Sequence, residues 1–252
     1  MNRITAIMSG KGGVGKTVTT INLALALQEL GEPVVIVDGD MTVSNLSVQL
    51  NAFDFNKTLH DVLNSRESIL NAIHTHPSGV CFVPSSLSAD NIYINAQTNS
   101  KKLKRELKKI NGWVILDCPP GLNDEVLSIL EIVDDAIVVT NPEPPAVTDA
   151  MKLVKIAEQF ETKINGIIVN RVTGKDYELN ENEIESACEA EILGKVPEDE
   201  RIKQNLTEEE PLLKKHPYST SGLQFRKIAH NIKGLEYRPP RFSFIKRIFN
   251  FG

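Results

Sequence analysis

Residues 4–17 read ITAIMSGKGGVGKT, and this stretch decides the fold of the chain. An apolar run is followed at once by a glycine-rich loop and then by an apolar helical pattern. The spacing Gly10-x-x-x-x-Gly15-Lys16-Thr17 is that of a phosphate-binding loop, whose glycines let backbone N–H groups face phosphate oxygens. The helix that follows adds the positive end of its dipole. We expect Lys16 to contact β and γ phosphates and Thr17 to bind Mg²⁺.

Short apolar runs recur along the chain and alternate with helical patterns. The runs predict strands at residues 4–8, 34–37, 80–83, 113–116, 136–140, 164–169 and 192–196. The helical patterns predict helices at residues 17–30, 101–110, 123–132, 147–159 and 180–190. This alternation predicts an α/β fold, a mostly parallel twisted sheet with helices on both faces. Ligands of such sheets bind beyond the carboxyl ends of the strands.

The composition is that of an ordinary globular protein, with 41% hydrophobic and 24% charged residues in 252. It excludes disordered, collagen-like and disulfide-scaffold classes, and the net charge of −5 argues against a protein that coats nucleic acid. Three widely separated cysteines predict free thiols in a reducing compartment. Residues 4–8 are interpreted as a strand rather than a signal peptide, and no apolar run reaches the ~18 residues of a spanning helix. We therefore expect a cytoplasmic protein unless something tethers it.

The sequence Arg238-Pro239-Pro240 marks a boundary between a globular part, residues 1–237, and a tail, residues 238–252. Residues 226–252 carry a net charge of +6, so the rest of the chain carries −11. On a helix, the polar residues of the tail fall on one half and its apolar residues on the other, except for Arg241 in the first turn, which falls on the apolar half. This pattern predicts an amphipathic helix lying in the plane of an anionic membrane surface. The residues expected to contact that surface are Phe242, Phe244, Ile245, Lys246, Ile248, Phe249 and Phe251. The alternative is a terminal helix docked on the protein itself.

Carboxylates follow two of the predicted strands. Asp38 and Asp40 end the second strand, and Asp117 ends the fourth in the sequence WVILDCPPG. One of the first pair could orient Mg²⁺ or its waters, and the other could position an attacking water. Asp117 fits a Walker B aspartate that holds Mg²⁺ through water. The Pro-Pro-Gly that comes soon after it fits a switch that a γ-phosphate orders.

The extra lysine of the loop, Lys11, makes residues 11–17 resemble the deviant Walker A motif, KGGVGKT, of the MinD/ParA family of P-loop ATPases. The resemblance covers about residues 3–235 and is closest to MinD-like proteins. It implies that Lys11 reaches the partner's phosphates in a nucleotide-sandwich homodimer, and that Asp40 activates water. Asn45 matches the continuation of the same switch, and residues 117–121 match the family pattern D-x-P-x-G completely.

The resemblance also assigns residues to the nucleotide, ATP or ADP, and to Mg²⁺. Around the phosphates it implies Gly10, Lys11, Gly12, Gly13, Val14, Gly15, Lys16, Thr17 and Thr19; around adenine, Asn170, Pro197 and Asp199. The catalytic residues would be Lys11, Lys16 and Asp40, and the metal residues Thr17, Asp38 and Asp117. The guanine-reading Asn-Lys-x-Asp does not occur at residue 170, which favours ATP over GTP.

The function implied is that of a MinD-like ATPase in spatial regulation of cell division or positioning of cell structures. Such a protein dimerises with ATP, binds the inner face of the cell membrane peripherally, and hydrolyses ATP slowly unless an activating protein stimulates it. Two alternatives remain: a ParA-like DNA-partitioning ATPase that uses the basic stretch 101–109, and a nucleotide-switched scaffold of the flagellar or chemotaxis type. An iron–sulfur carrier is disfavoured because no paired cysteines lie near the expected dimer face.

Overall fold

The computed structural model describes residues 2–41, 44–65, 67–86, 96–208 and 210–240. The strands are β1 (Arg3–Met8), β2 (Val34–Asp38), β3 (His74–Thr75), β4 (Cys81–Val83), β5 (Trp113–Asp117), β6 (Asp135–Thr140), β7 (Lys163–Val172) and β8 (Ile192–Pro197). The helices are α1 (Lys16–Glu29), α2 (Asn45–Gln49), α3 (Leu59–Asn64), α4 (Ala96–Leu107), α5 (Asp124–Leu130), α6 (Pro144–Gln159), α7 (Glu181–Cys188), α8 (Glu200–Glu208), α9 (Leu212–Lys215) and α10 (Thr220–Ile232).

The strands form one eight-stranded sheet in the order β3-β4-β2-β5-β1-β6-β7-β8. Every pairing is parallel except that of the edge strand β3 with β4. One apolar cluster joins the sheet to α3–α7, and a second joins its other face to α1, α2, α9 and α10. The predicted fold class is therefore confirmed. The central strands β2 and β5 are buried along their whole length, as their consecutive apolar residues predicted.

All seven predicted strands and all five predicted helices are present, with bounds that shift by a few residues. Two shifts have a clear cause, because the asparagines placed first in their helices are N-caps. Asn123 accepts a hydrogen bond from Val126 N at 3.0 Å, and Asn180 accepts one from Glu183 N at 3.1 Å. An N-cap side chain satisfies a free N–H of the first turn, so the helix itself begins one residue later.

Five helices were not predicted: α2, α3, α8, α9 and α10. The longest, α10, begins after Ser219, whose Oγ accepts from Gly222 N at 2.9 Å. Phe225, Ile228 and Ala229 bury its inner face against α1 and β8. Both the cap and the i, i+3, i+4 spacing stand in the sequence, so this helix was predictable.

The chain from residue 226 onward is only partly a free basic tail. Arg226 pairs with Glu29 at 2.6 Å, and Lys233 pairs with Glu32, so both cations belong to the contact of α10 with the end of α1. Part of the excess positive charge of residues 226–252 is therefore offset within the described part of the chain. Residues 241–252, with the proposed membrane helix, lie outside the described residues, and the helix stays a prediction. Within the described ranges, none of the helices combines the length and apolar character that crossing a bilayer requires.

Candidate nucleotide-binding site

The glycine-rich loop between β1 and α1 has the backbone that phosphate binding needs. Gly13 and Gly15 have φ of +81° and +87°, which only glycine adopts without strain. The loop borders a cavity of about 290 Å³ that is closed on other sides by Asn45 and Gln49 of α2 and by Pro120. The predicted phosphate loop therefore opens into a site at the carboxyl ends of the strands.

Two glycines of the loop are required by close packing. A Cβ on Gly10 would lie 2.4 Å from the backbone carbon of Asp149 in α6. A Cβ on Gly15 would lie 2.2 Å from Asn170 Nδ2. The loop is thus held between α6 on one side and the end of β7 on the other.

The Asp117 carboxylate accepts hydrogen bonds from three residues at the end of the phosphate loop and the start of α1. Lys16 Nζ donates to its Oδ1 at 2.8 Å, Thr17 Oγ1 donates to its Oδ2 at 2.7 Å, and Thr20 Oγ1 donates to its Oδ1 at 2.9 Å. Burial opposes the charge of Lys16, but the adjacent Asp117 carboxylate outweighs it, so the pKa of Lys16 is raised and it stays protonated. The structure therefore brings Lys16, Thr17 and Asp117 together, and their roles toward phosphates and Mg²⁺ stay predictions. It adds Thr20, which the i+4 spacing from Lys16 could have indicated.

Asp38 is a fully buried anchor rather than a residue of the cavity wall. Its Oδ2 accepts from Ser44 Oγ at 2.9 Å and Ser85 Oγ at 3.0 Å, and its Oδ1 accepts from Asp40 N at 3.2 Å. Burial and the nearby Asp117 raise the pKa of Asp38 to about 7. Direct ligation of Mg²⁺ by Asp38 stays a prediction. What the structure shows is a carboxyl that fixes the chain following β2.

Asp40 and Lys11, to which the resemblance assigns hydrolysis and a contact across the dimer, differ in exposure. Asp40 is 4% exposed, and Asn45 Nδ2 donates to its Oδ2 at 3.3 Å. Lys11 is exposed, whereas Lys16 on the same loop is buried. The pairing of Asp40 with Asn45 agrees with the reading of both as one switch segment. An exposed Lys11 is free to contact a second molecule.

Unpartnered buried polar atoms show that the site suits a nucleotide with Mg²⁺. Ser9 Oγ, at the start of the loop, and Thr19 Oγ1, in the first turn of α1, are buried without a hydrogen-bond partner in the described structure. Buried polar atoms are normally paired, so these two fit an additional group at the loop. A hydroxyl and a carboxylate, Thr17 and Asp117, are the oxygen donors that Mg²⁺ shares with phosphates and waters. The described residues contain no cluster of three or more His, Cys, Asp or Glu that could hold a metal without a phosphate.

Of the three residues expected around adenine, the structure shows Asn170 in contact with the phosphate loop, and the side chains of Asn170 and Asp199 are already engaged in hydrogen bonds. Asn170 is buried, and its Nδ2 donates to Val14 O at 2.7 Å. The Asp199 carboxylate accepts from Arg201 Nε and Nη2 at 2.8 and 2.9 Å. Pro197 ends β8 directly before this pair. Recognition of adenine by the Asn170 side chain stays a prediction. Because the Asp199 side chain is engaged by Arg201, the backbone of residues 197–199 is what remains to contact a base.

The three cysteines are free thiols, as predicted. Cys118 and Cys188 are buried, and burial raises the pKa of both, to about 11 for Cys188. Cys81 lies in β4 and is half-buried. Buried thiols with raised pKa values do not form the exposed thiolate pair that binds a transferable metal.

Comparison with known proteins agrees with this site. The ParA family, described as NUBPL iron-transfer P-loop NTPase, matches residues 1–233. An uncharacterized ATP-binding protein of Methanocaldococcus jannaschii is 36% identical over 96% of this chain and 93% of its own length. The septum site-determining protein MinD of Synechocystis is 32% identical over 93% of this chain and 90% of its own length. The structure of the septum site-determining protein MinD of Pyrococcus horikoshii, complexed with Mg-ADP, superposes with a TM-score of 0.85 at 33% identity, covering 92% of this chain and 96% of that one.

The match spans nearly the whole globular part, and the phosphate loop, Lys16 and Asp117 are assembled as P-loop chemistry requires. The chain therefore belongs to the MinD/ParA family of P-loop NTPases, and its similarity is to the MinD proteins of that family.

Proposed function

We propose that this protein is a MinD-like ATPase that binds ATP with Mg²⁺ and dimerises in that state. The dimer stays at the inner face of the cell membrane until hydrolysis releases it. One observation carries the proposal. A single loop holds two lysines in opposite environments: Lys16 buried on Asp117 and Lys11 exposed. The first is suited to phosphates of its own nucleotide, and the second to phosphates across a dimer.

Lys16 can serve the nucleotide because its ion pair is exchangeable. Its raised pKa keeps it protonated, and a phosphate oxygen can take the place of Asp117 Oδ1. Asp117 and the hydroxyl of Thr17 are then available to hold Mg²⁺. The bound metal would neutralise phosphate charge. The chain itself contributes a cation, a carboxylate and a hydroxyl at the N-terminus of α1.

Hydrolysis is assigned to Asp40, which we propose positions the attacking water. Asn45 holds one carboxylate oxygen of Asp40, and Asp38 fixes the backbone N–H of the same residue. Asp38, the other carboxylate at the end of β2, is fully buried on Ser44 and Ser85, which leaves Asp40 for this role. As the family resemblance implies, we propose that turnover is slow and rises when an activating protein binds.

Membrane residence is assigned to the tail, and the energetics explain why it would depend on ATP. Six apolar side chains offer ~1.5–3 kcal/mol each if fully buried, and burial at an interface is partial. Ordering about ten residues into a helix costs ~1–2 kcal/mol each, so one tail binds weakly. Two tails on one dimer make the second insertion intramolecular, which raises avidity by ~10²–10⁴. ATP would thereby control residence without touching the tail.

The test is co-sedimentation of the full chain with anionic vesicles in ATP and in ADP. We expect pelleting with ATP and much less with ADP. Ile245→Glu should abolish pelleting and leave ATP-driven dimerisation intact. Asn250→Glu is the matched control, because it adds the same charge to the polar half of the same helix and should pellet nearly as well. Equal pelleting in both nucleotides, or full pelleting after removal of residues 241–252, would contradict the coupling.

A DNA-partitioning role is the second candidate, and one feature favours it. On α4 and the turn after it, Lys101, Arg105 and Lys108 are exposed to solvent. Lys102, however, donates to the carbonyl oxygens of Leu63 and Ser65, and Lys109 pairs with Glu106, so two cations of the stretch serve the fold. ATP-dependent co-sedimentation with DNA instead of vesicles would favour this role. Iron transfer, which the family description names, gains no support from three unpaired cysteines.

A further inference from the structure

Two consecutive side chains at the end of β7 contact the phosphate loop. Asn170 Nδ2 donates to Val14 O at 2.7 Å, and Arg171 Nη1 donates to Gly13 O at 3.3 Å. In a regular strand, successive side chains point to opposite faces of the sheet. Two neighbours that reach the same loop therefore need a local departure from strand geometry.

The departure is the backbone of Arg171, which has φ of +60°. This left-handed conformation is unfavourable for an arginine, and such residues persist where surrounding contacts hold them. Here the side chain supplies those contacts. Strain of this kind tends to lie at functional positions, and this one lies directly beside the candidate nucleotide site.

The same guanidinium also binds the loop after β8. Arg171 Nε donates to Glu198 Oε2 at 2.7 Å, and its Nη2 donates to Glu198 Oε1 at 3.2 Å. Glu198 stands between Pro197 and Asp199, in the segment assigned to the base, and its N–H donates to Val172 O at 3.0 Å. Arg171 therefore joins the segment around the phosphates to the segment around the base through one planar group.

We propose that Arg171 is a positioning residue that sets the separation between the phosphate loop and residues 197–199, called here the base loop. By fixing that separation, this strap controls how long a nucleotide stays bound. The proposal rests on the proposed ATP site, since it assigns the two ends of the strap to the two ends of one nucleotide. A nucleotide that spans both loops gains from their fixed spacing, whereas a ligand with phosphates alone does not.

The experiment measures release of a fluorescent ADP and inhibition of ATPase activity by tripolyphosphate, in the full chain with Mg²⁺. Arg171→Lys keeps the charge but cannot make the two-point contact, and Glu198→Gln keeps the shape but loses the charge. The Arg171 side chain is 44% exposed, so loss of this ion pair corresponds to release about 2- to 5-fold faster in each variant. The double variant should be no faster than either single one, because both remove the same contact.

Two readouts separate positioning from simple loss of stability. KM for ATP should rise while kcat stays within about 2-fold, and the inhibition constant of tripolyphosphate should not change. Arg226→Lys is the control, because it weakens a similar two-point pair with Glu29 far from the loop and should leave nucleotide release unchanged.

Unchanged ADP release in both variants would overturn the strap, as would equal weakening of tripolyphosphate and ATP, which would mean that Arg171 supports the phosphate loop alone. A wild-type chain that binds no nucleotide would overturn the proposed function, and the strap with it.

Discussion

Asp38 and Asp117 occupy the same register position on the neighbouring strands β2 and β5, and both carboxylates are buried. Lys16 is the cation paired with Asp117, and the hydroxyls of Ser44 and Ser85 are the partners of Asp38. A carboxylate disfavours the ionisation of a second carboxylate close to it, and Lys16 offsets the charge of Asp117 rather than that of Asp38. This relationship places a proton-dependent group directly behind the phosphate loop.

The first prediction concerns pH and stability. The pKa of Asp38 in the folded protein is about 7, above its ordinary value of 3.8, so the folded state binds the extra proton between these limits. Stability from this group is therefore full at about pH 4 and falls by up to ~1.4 kcal/mol per pH unit as the pH rises towards 7. Asp38→Asn removes this dependence. Urea unfolding at pH 4.5, 6 and 8 should show that the free energy of unfolding of the variant rises relative to that of the wild type as the pH rises. A difference between the two free energies that does not depend on pH would refute the assignment.

The second prediction concerns Lys16→Ala. Removing the ammonium leaves Asp117 without its ion pair in a buried site, which should lower the unfolding free energy by on the order of 3 kcal/mol. ATPase activity should fall to background, because the other lysine of the loop, Lys11, is exposed and is assigned to the phosphates of the partner's nucleotide, so it cannot replace Lys16. Lys152→Ala is the control: it breaks the more exposed pair with Asp149 at 3.2 Å and should cost at most ~0.5 kcal/mol. Retained ATPase activity in Lys16→Ala would remove the site assignment.

The third prediction separates hydrolysis from dimerisation. Asp40→Ala should reduce turnover by at least ~100-fold while ATP still drives dimerisation, because only the positioning of water is lost. Lys11→Ala should retain ATP binding yet stay monomeric, because the exposed lysine acts across the dimer. Size-exclusion chromatography in ATP decides both. A monomeric Asp40→Ala protein, or normal dimerisation of Lys11→Ala, would contradict the family mechanism.

The fourth prediction compares two glycines of one loop. Gly10→Ala places a methyl group 2.4 Å from the Asp149 backbone, so the loop or α6 must move, at a cost of ~1–3 kcal/mol. At Gly12 the nearest atom to a new Cβ is Pro120 Cγ at 3.9 Å, an ordinary contact. The melting temperature without nucleotide should therefore be lowered in Gly10→Ala and nearly unchanged in Gly12→Ala. Equal melting of the two variants would mean that the loop is not packed against α6.

Much of the fold and part of the site could be predicted from local patterns. The strands show as consecutive apolar residues because helices cover both faces of a parallel sheet, and the phosphate loop shows because its glycines, lysine and threonine are contiguous. The carboxylates Asp38, Asp40 and Asp117 were predictable because each stands at or just after the last residue of a strand, and parallel strands end at one edge of the sheet. The helices α2, α3 and α9 were missed because each has six residues or fewer, too few to show a helical period, and gains its stability from packing. The helix α8 was missed because Ile202 and Leu206 are its only apolar residues.

Other features were decided only by the tertiary structure. Nothing in the sequence near residue 38 shows that Ser85, which follows β4, donates a hydrogen bond to the Asp38 carboxylate, or that burial beside Asp117 raises the pKa of Asp38. The interaction of Arg171 with Gly13 and Glu198 joins three segments far apart in the chain, and a left-handed backbone at Arg171 makes it possible. Sequence patterns report the interactions of neighbours along the chain, whereas burial and long-range charge depend on which segments the folded sheet brings together. For this protein, the sequence of residues 4–17 by itself predicted the phosphate site. The contacts that the end of β7 makes with that loop and with the segment after β8 are decided only by the tertiary structure.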